Sequence, residues 1–268
     1  MPSFPQAGLM RRRSDLTTTA WVLVLLFALK PLSVSAQEGS WTVSAGGGYA
    51  YVFLGQVKGD MDRDVKGYNA VGLLLPPFPS PSSAFALSGK ATYRFDREYS
   101  WSISLGAVKR TVGTSWEDGT YALSLDRTIG STTALLGLAY HFPADLGGDL
   151  YAEVQLGYLF AKATSSANWT KTTKVADSTG AYVLVKETLD DTRGTFTKSK
   201  LIVAAAVGGT LRISGPFFLR GEAVYRFGQM GKIDGSKTQF GQTVDQTTSI
   251  EFDFSALVVS VSIGIEFD

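Results

Sequence analysis

Residues 256–267 read Ala-Leu-Val-Val-Ser-Val-Ser-Ile-Gly-Ile-Glu-Phe, with a large apolar side chain at every second position. Leu257, Val259, Val261, Ile263, Ile265 and Phe267 fall on one face, and Ala256, Val258, Ser260, Ser262, Gly264 and Glu266 on the other. Successive side chains of a strand point to opposite faces, so this segment reads as a β-strand with one apolar and one small or polar side.

The same period recurs along the chain and predicts seven more strands. Trp41, Val43, Ala45, Tyr49, Tyr51 and Phe53 share the first apolar face. Phe85, Leu87, Ala91, Tyr93 and Phe95 make the second, and Tyr99, Trp101, Ile103, Leu105 and Ala107 the third. The fourth is Ala134, Leu136, Leu138, Tyr140 and Phe142; the fifth is Leu150, Ala152, Val154, Leu156, Tyr158 and Phe160. Leu201, Val203, Ala205, Val207 and Leu211 follow, then Phe217, Leu219, Ala223, Tyr225 and Phe227. The intervening faces carry Gly, Ala, Ser and Thr with scattered charges, and no helical period of useful length appears among them.

Short connections at 96–98, 143–149 and 214–216 alternate with long polar ones at 55–83, 112–130, 162–197 and 228–249. Short turns on one side and long loops on the other mark an up-and-down membrane barrel, with the turns periplasmic and the loops outside. Tyr121, Leu123 and Leu125 also alternate, but a ninth strand would break the even count of bacterial single-chain barrels. Residues 120–142 therefore read as one long strand with a phase slip, a bulge, near Ile129-Gly130. Tyr182-Val183-Leu184-Val185 and the polar stretch Asn168 to Lys174 read as a hairpin standing above the membrane. The fold class is all-β, a transmembrane antiparallel barrel of about eight strands, with about ten the alternative count.

A soluble sandwich would point its apolar faces inward. Two features favour the opposite. The non-apolar faces are small enough to line a tight lumen, and aromatics gather at strand ends. Phe95, Tyr99, Phe142, Phe217 and Phe267 lie beside the short turns, and Tyr51, Phe53, Tyr158, Tyr225 and Phe227 toward the far ends. Two aromatic girdles around an aliphatic band are a membrane-barrel arrangement. The beginning of the chain agrees. Arg11, Arg12 and Arg13 precede an apolar run from Ala20 to Leu29, and Ser33-Val34-Ser35-Ala36 follows. This is the pattern of a cleavable export signal over residues 1–36, and the run is about half of the ~20 residues that a spanning helix needs. Residues 37–268 are then the barrel domain. The chain contains no cysteine, which closes disulfide, thiolate and lipid-anchor chemistry. Of 25 basic and 24 acidic residues the leader holds four and one, so the remainder is close to neutral and lacks the basic face that nucleic acid requires.

The terminal alternation ending in Phe267, one residue before Asp268, resembles the assembly signal of outer-membrane proteins. Over residues 41–267 the chain resembles, in architecture, the small barrels of the OmpA transmembrane-domain and OmpX type. That resemblance implies a bacterial outer-membrane location, lipid and lipopolysaccharide as surroundings, and recognition by the barrel-assembly machinery through the strand ending in Phe267.

Chemistry is sparse. His141 is the single histidine, faces inward beside a turn, and has no serine near it in sequence, so a structural role is expected. Asp60, Asp62 and Asp64 form a D-x-D-x-D run, but Val65 and Val71 stand where a calcium loop needs Gly and Glu, leaving a solvated acidic loop. Gly46-Gly47-Gly48 is followed by strand, not helix, which fits close packing in a barrel wall better than a phosphate loop. An apolar stretch in the first loop (Val71, Leu73, Leu74, Leu75, Phe78) is expected to pack on the rim or present a contact surface. No catalytic, cofactor or metal residue is assigned. Lys90, Arg94, Glu153, Arg220, Glu222 and Glu266 all fall on inward faces, where isolated charges are costly, so a network of ion pairs is expected. The leading function is non-enzymatic, a structural or surface-interaction role through the long loops, with a possible extracellular ligand or protein there. The alternative is a narrow channel or transporter for small or apolar solutes, similar to the OmpW group. An inner polar plug favours the first and an apolar inner stripe the second.

Overall fold

The computed structural model describes residues 39–52, 54–80, 83–144, 148–178, 181–248 and 251–267. The expected export signal, Phe53 and Asp268 lie outside the described residues. The elements in chain order are β1 (Ser40–Val52), α1 (Gly55–Ala70), β2 (Ser83–Arg94), β3 (Tyr99–Glu117), β4 (Tyr121–Ala144), β5 (Gly148–Ala176) and β6 (Tyr182–Ser214). They continue with β7 (Phe217–Phe227), β8 (Gln229–Gly231), β9 (Asp234–Gln239), β10 (Gln242–Thr247), β11 (Phe252–Asp253) and β12 (Ala256–Phe267).

β1 to β7 pair consecutively and antiparallel, and β12 pairs with both β7 and β1, closing a ring of eight strands. The closing seam runs from Trp41 opposite Phe267 to Val52 opposite Ala256. Gly46 and Gly48 lie on this seam, where a Cβ at either position would overlap the backbone of Val261 or Val259 on β12. Their lack of a side chain lets the first and last strands approach.

The pleat faces as the alternation requires, inside out relative to a soluble core. Val259, Val261 and Ile263 are exposed while Val258, Ser260 and Ser262 are buried. The same outward band carries Val43, Leu87, Leu136, Leu138, Val154, Leu156, Leu201 and Val207. At the turn end, Trp41 packs on Tyr93 and Trp101 at centroid distances of 4.9 and 5.3 Å. Tyr140 packs there on Tyr99 and Phe142 at 5.3 and 4.8 Å. At the other end Tyr158 stacks with Phe160 and Tyr225 meets Phe227 edge-on.

Three sequence expectations are corrected. First, 112–130 and 162–197 are not loops. β3 and β4 pair out to Glu117 opposite Ala122, and β5 and β6 out to Ala176 opposite Tyr182. In 162–197 the Thr-, Ser- and Lys-rich stretches offer little apolar face to reveal a strand, and in 112–130 the alternation is short and centred on Tyr121, Leu123 and Leu125, but backbone hydrogen bonding needs neither. The β3–β4 turn is held by Asp118, whose carboxylate accepts from the backbone N–H of Thr120 and Tyr121, and by Gly119 at φ +87°. The hairpin expected around Tyr182–Val185 is present, with Val183 opposite Val175.

Second, β4 has no bulge at Ile129-Gly130: its pairing with β3 and β5 keeps one phase throughout. Leu123, Leu125 and Ile129 share the inward face with Leu135 and Ala139, and all five are buried. The apolar residues change face, not the backbone.

Third, the first long connection contains a helix. Val57, Met61 and Val65 recur every fourth residue, with Tyr68 one turn further, and the first three are buried in the main apolar cluster. That spacing puts them on one helical face. The last long connection, 228–249, also carries structure, because β9 and β10 form a hairpin and β9 pairs with β6 from Thr192 to Thr197. The sheet thus has ten strands, of which β9 and β10 stand beside the ring.

Candidate functional site

The lumen has two parts. In the turn-side half, β2, β5 and β7 each place a charge on the inward face. Lys90 Nζ donates to carboxylate oxygens of both Glu153 and Glu222. Glu153 is fully buried and accepts a second hydrogen bond from Ser102 on β3. Gly137 on β4 makes room for it, since a Cβ there would overlap the Glu153 carboxylate. Glu222 accepts from the Tyr151 hydroxyl at 2.8 Å, and Lys90 also lies 4.9 Å from the Tyr151 ring centroid. Arg220 completes the layer by donating to Ser44 at 3.0 Å and Thr42 at 3.2 Å on β1, with its guanidinium over the ring of Phe218. Nearer the turns, Arg94 pairs with Asp149 and Arg212 with Glu266. All six charges expected inside are there, and each has a partner on another strand. Asp149, Arg212 and Tyr151 were not anticipated as partners.

The other half is apolar. The hydrophobic side of α1 meets the inward faces of β4 and β5, including Ile129 and Ala163, together with Phe252 of β11. Leu159, Ile202, Met230, Ile233 and Phe254 fill the same region. Leu75 and Phe78 of the apolar stretch are buried here, and Thr114 donates to the Pro76 carbonyl at 2.7 Å. A cavity of about 190 Å³ remains between α1 and the wall, lined by Val57, Met61, Ile129, Phe196 and Phe252, with Asp60, Arg127 and Lys237 at its polar side. The reading of the inner faces as mostly polar or small thus holds only for the turn-side half. Alternation along β4 carries the signal for the rest in Leu123 and Leu125, whose change of face relative to Leu136 and Leu138 reads in the sequence as a bulge near Ile129-Gly130.

The acidic run lies on α1. Asp62 pairs with Lys58 at 3.0 Å, Asp60 with Arg63 at 3.4 Å, and Asp64 with Arg127 of β4. Successive alternate residues on a helix diverge by roughly 160°, given 3.6 residues per turn, so the three carboxylates do not converge on one point. Asp64 instead ties the helix to the wall. Burial, and then the charge of Asp64, raise the Asp60 carboxyl above its usual range.

His141 also departs from expectation. Across the β3–β4 pairing, Ser100 Oγ sits 2.8 Å from His141 Nε2. The serine is fully buried and His141 Nδ1 has no partner among the described residues, so no acid orients the ring. A nucleophile without access and a base without an orienting acid leave a structural contact, with the imidazole tilted against the Tyr151 ring at 5.7 Å.

A closed antiparallel ring satisfies every wall strand's backbone, and an aliphatic band between two aromatic girdles surrounds it. Only helices and closed barrels achieve this in lipid, and closed barrels with such a band are outer-membrane proteins. The chain is a small outer-membrane β-barrel.

No protein-family model matches the chain, and no curated protein matches it. Among solved structures, the attachment invasion locus protein Ail of Yersinia pestis overlaps with TM-score 0.41 at 15% identity, covering 86% of this chain and 100% of that one. A major outer membrane protein of Thermus thermophilus overlaps with TM-score 0.48 at 10% identity, over 86% and 100%. OprG of Pseudomonas aeruginosa gives TM-score 0.39 at 15% identity, over 87% and 98%. Overlaps of this size place no ligand or activity on the barrel, whose assignment rests on its own ring and band.

Proposed function

We propose that the chain is a closed, non-enzymatic outer-membrane barrel that serves as a structural platform, with its long hairpins outside the cell and its short turns in the periplasm. The observation that carries this is Lys90 held between Glu153 and Glu222, which joins three strands across the lumen. An eight-stranded barrel has room for little more than its own side chains, and this cluster takes up the middle. The hairpins support a contact role. Tyr182, Leu184, Phe240 and Val244 are each more than 60% exposed, beyond the lipid-facing band, where apolar side chains gain nothing from the membrane. An extracellular protein or ligand at these tips, lipopolysaccharide around the band, and the assembly machinery at β12 are the partners this reading implies.

Planar-bilayer recording tests it. The parent barrel should stay silent, and Lys90→Met should open small, discrete steps. Steady conductance in the parent would sink the closed-barrel reading. Protease added to intact cells should cut at 177–181 or in 232–248 and spare 95–98 and 215–216; the reverse pattern would invert the orientation.

The cavity of about 190 Å³ at α1 favours a second reading, in which the apolar half admits a small apolar solute as a narrow channel does. Uptake of such a solute into vesicles, dependent on the parent barrel and blocked by cross-linking α1 to β4, would replace the first reading with this one.

A further inference from the structure

Lys90 and Arg220 balance Glu153 and Glu222 in the charged layer. A further cation has no such balance. Arg226, on the inward face of β7, is 4% exposed and has no carboxylate partner among the described residues. Its Nη1 donates to Thr133 Oγ1 at 3.3 Å, and its Nε has no partner among the described residues. Beside it, Gln155 on β5 is 1% exposed, and neither amide atom has a partner among the described residues.

These groups share a cavity of about 50 Å³, lined also by Gly106, Leu135, Val224 and Glu222. Gly106 keeps it open, since a Cβ there would come within 2.8 Å of Thr133 Oγ1 and 3.9 Å of Arg226 Nη1. Glu222 lines the cavity too, but its carboxylate is already engaged by Lys90 and Tyr151. An ionised group and a primary amide, both buried with donors unused, are costly unless something in the cavity satisfies them. A buried water needs roughly 10–15 Å³ of such space, so the cavity has room for one small ion or a few waters.

We infer that Arg226, Gln155 and Thr133 form an internal site for one small monovalent inorganic anion of halide size. Arg226 supplies the charge and a free Nε–H, Gln155 supplies its amide N–H, and the Thr133 hydroxyl fixes the guanidinium. The anion neutralises a buried charge that the described residues leave unpaired. This goes beyond the proposed platform role and stands whether or not the barrel conducts.

The refolded barrel, crystallised from sodium bromide, tests the inference by diffraction at the bromine absorption edge. The expected result is one anomalous peak within hydrogen-bonding distance of Arg226 and of Gln155 Nε2. Water alone in the cavity, or bromide only at the surface, overturns the site. In solution, the parent should broaden the chloride-35 resonance, and the excess linewidth should disappear in Arg226→Gln but persist in Arg212→Gln, which alters a half-exposed pair near the turns. Equal linewidth in the parent and Arg226→Gln overturns it. If Arg226→Gln does not fold, Gln155→Leu takes its place with the same two outcomes, and the bromide crystal of the parent decides independently.

Discussion

Between β2, β5 and β7 the turn-side lumen is filled by Lys90, Glu153, Tyr151 and Glu222, whereas between β4, β5 and β6 the other half is filled by Met61, Ile129, Leu159 and Ile233. Both fillings are buried: the Glu153 side chain and Leu159 are each 0% exposed. The filling differs because its source differs. In the turn-side half the wall's own long side chains meet at the centre, and charges on facing strands pin one strand to another. In the other half the inserted helix α1 is the filler, so the wall must be apolar to receive it. A pinned charge layer is intolerant of single changes, because each loss strands a partner in low dielectric. A hydrophobic contact loses only its own transfer energy and whatever cavity remains. The two halves should therefore fail differently.

The largest effect expected is at the ionic layer. Glu153→Ala should destabilise the barrel by about 3–5 kcal/mol, since Glu222 alone is then left to balance both Lys90 and Arg220, and Ser102 loses its acceptor. Urea unfolding in lipid vesicles, followed by tryptophan fluorescence, measures this. Glu153→Gln, similar in shape, should recover only part of it; full recovery would mean that the layer is held by packing and not by charge.

Met61→Ala, in the apolar half, should cost about 2–5 kcal/mol in the seating of α1, as other buried methionines do. Because α1 is one connection of the ring, the loss should appear first as local opening. Hydrogen exchange of residues 55–70 should accelerate while the β1–β12 amides remain protected. Uniform acceleration would erase the distinction between an inserted filler and a woven layer.

Val261→Arg, at a site 55% exposed to lipid, should cost about 2–4 kcal/mol at mid-membrane depth. Ser262→Arg places the same charge beside Arg220, its register partner on β7, and should act by repulsion within the lumen. High salt should then relieve the lumen variant more than the lipid-facing one. The same response from both would contradict the assignment of faces.

The smallest effect is a titration in the apolar half. The Asp60 carboxyl is raised in the folded chain by burial and then by Asp64. A carboxyl raised on folding weakens the fold once it is ionised. The penalty is absent below the ordinary carboxylate range near pH 4, grows as pH rises through the raised value, and is complete above it. Asp60→Asn should therefore slightly stabilise α1 at neutral pH and give no gain in strong acid. A loss of stability at neutral pH that faded on acidification would show that Asp60 is held by its basic neighbours Arg63 and Arg127 instead.

Much of this molecule was written in the chain itself. Period-two alternation in residues such as Val259, Val261 and Ile263 specified strands, their outward faces and the membrane environment, because lipid is a uniform solvent that selects apolar side chains wherever a strand meets it. The same phase put Lys90, Glu153 and Glu222 inside, and the cost of burying isolated charge required them to pair. What the sequence did not determine lay where that uniform rule lapses. In the half of the lumen away from the short turns, Leu123, Leu125 and Ile129 face inward because the local environment is α1, a neighbour distant in sequence, so their change of face was legible only as a break in phase. The extended hairpin at 162–197 is held mainly by backbone pairing, which leaves little mark in side-chain period, and at 112–130 the mark is a short alternation at Tyr121, Leu123 and Leu125. Ser100 reached His141, and Arg226 was left with Thr133 and an unengaged Gln155, through cross-strand register and reach across the lumen. Those contacts join residues far apart in the chain, and only the closed ring brings them together.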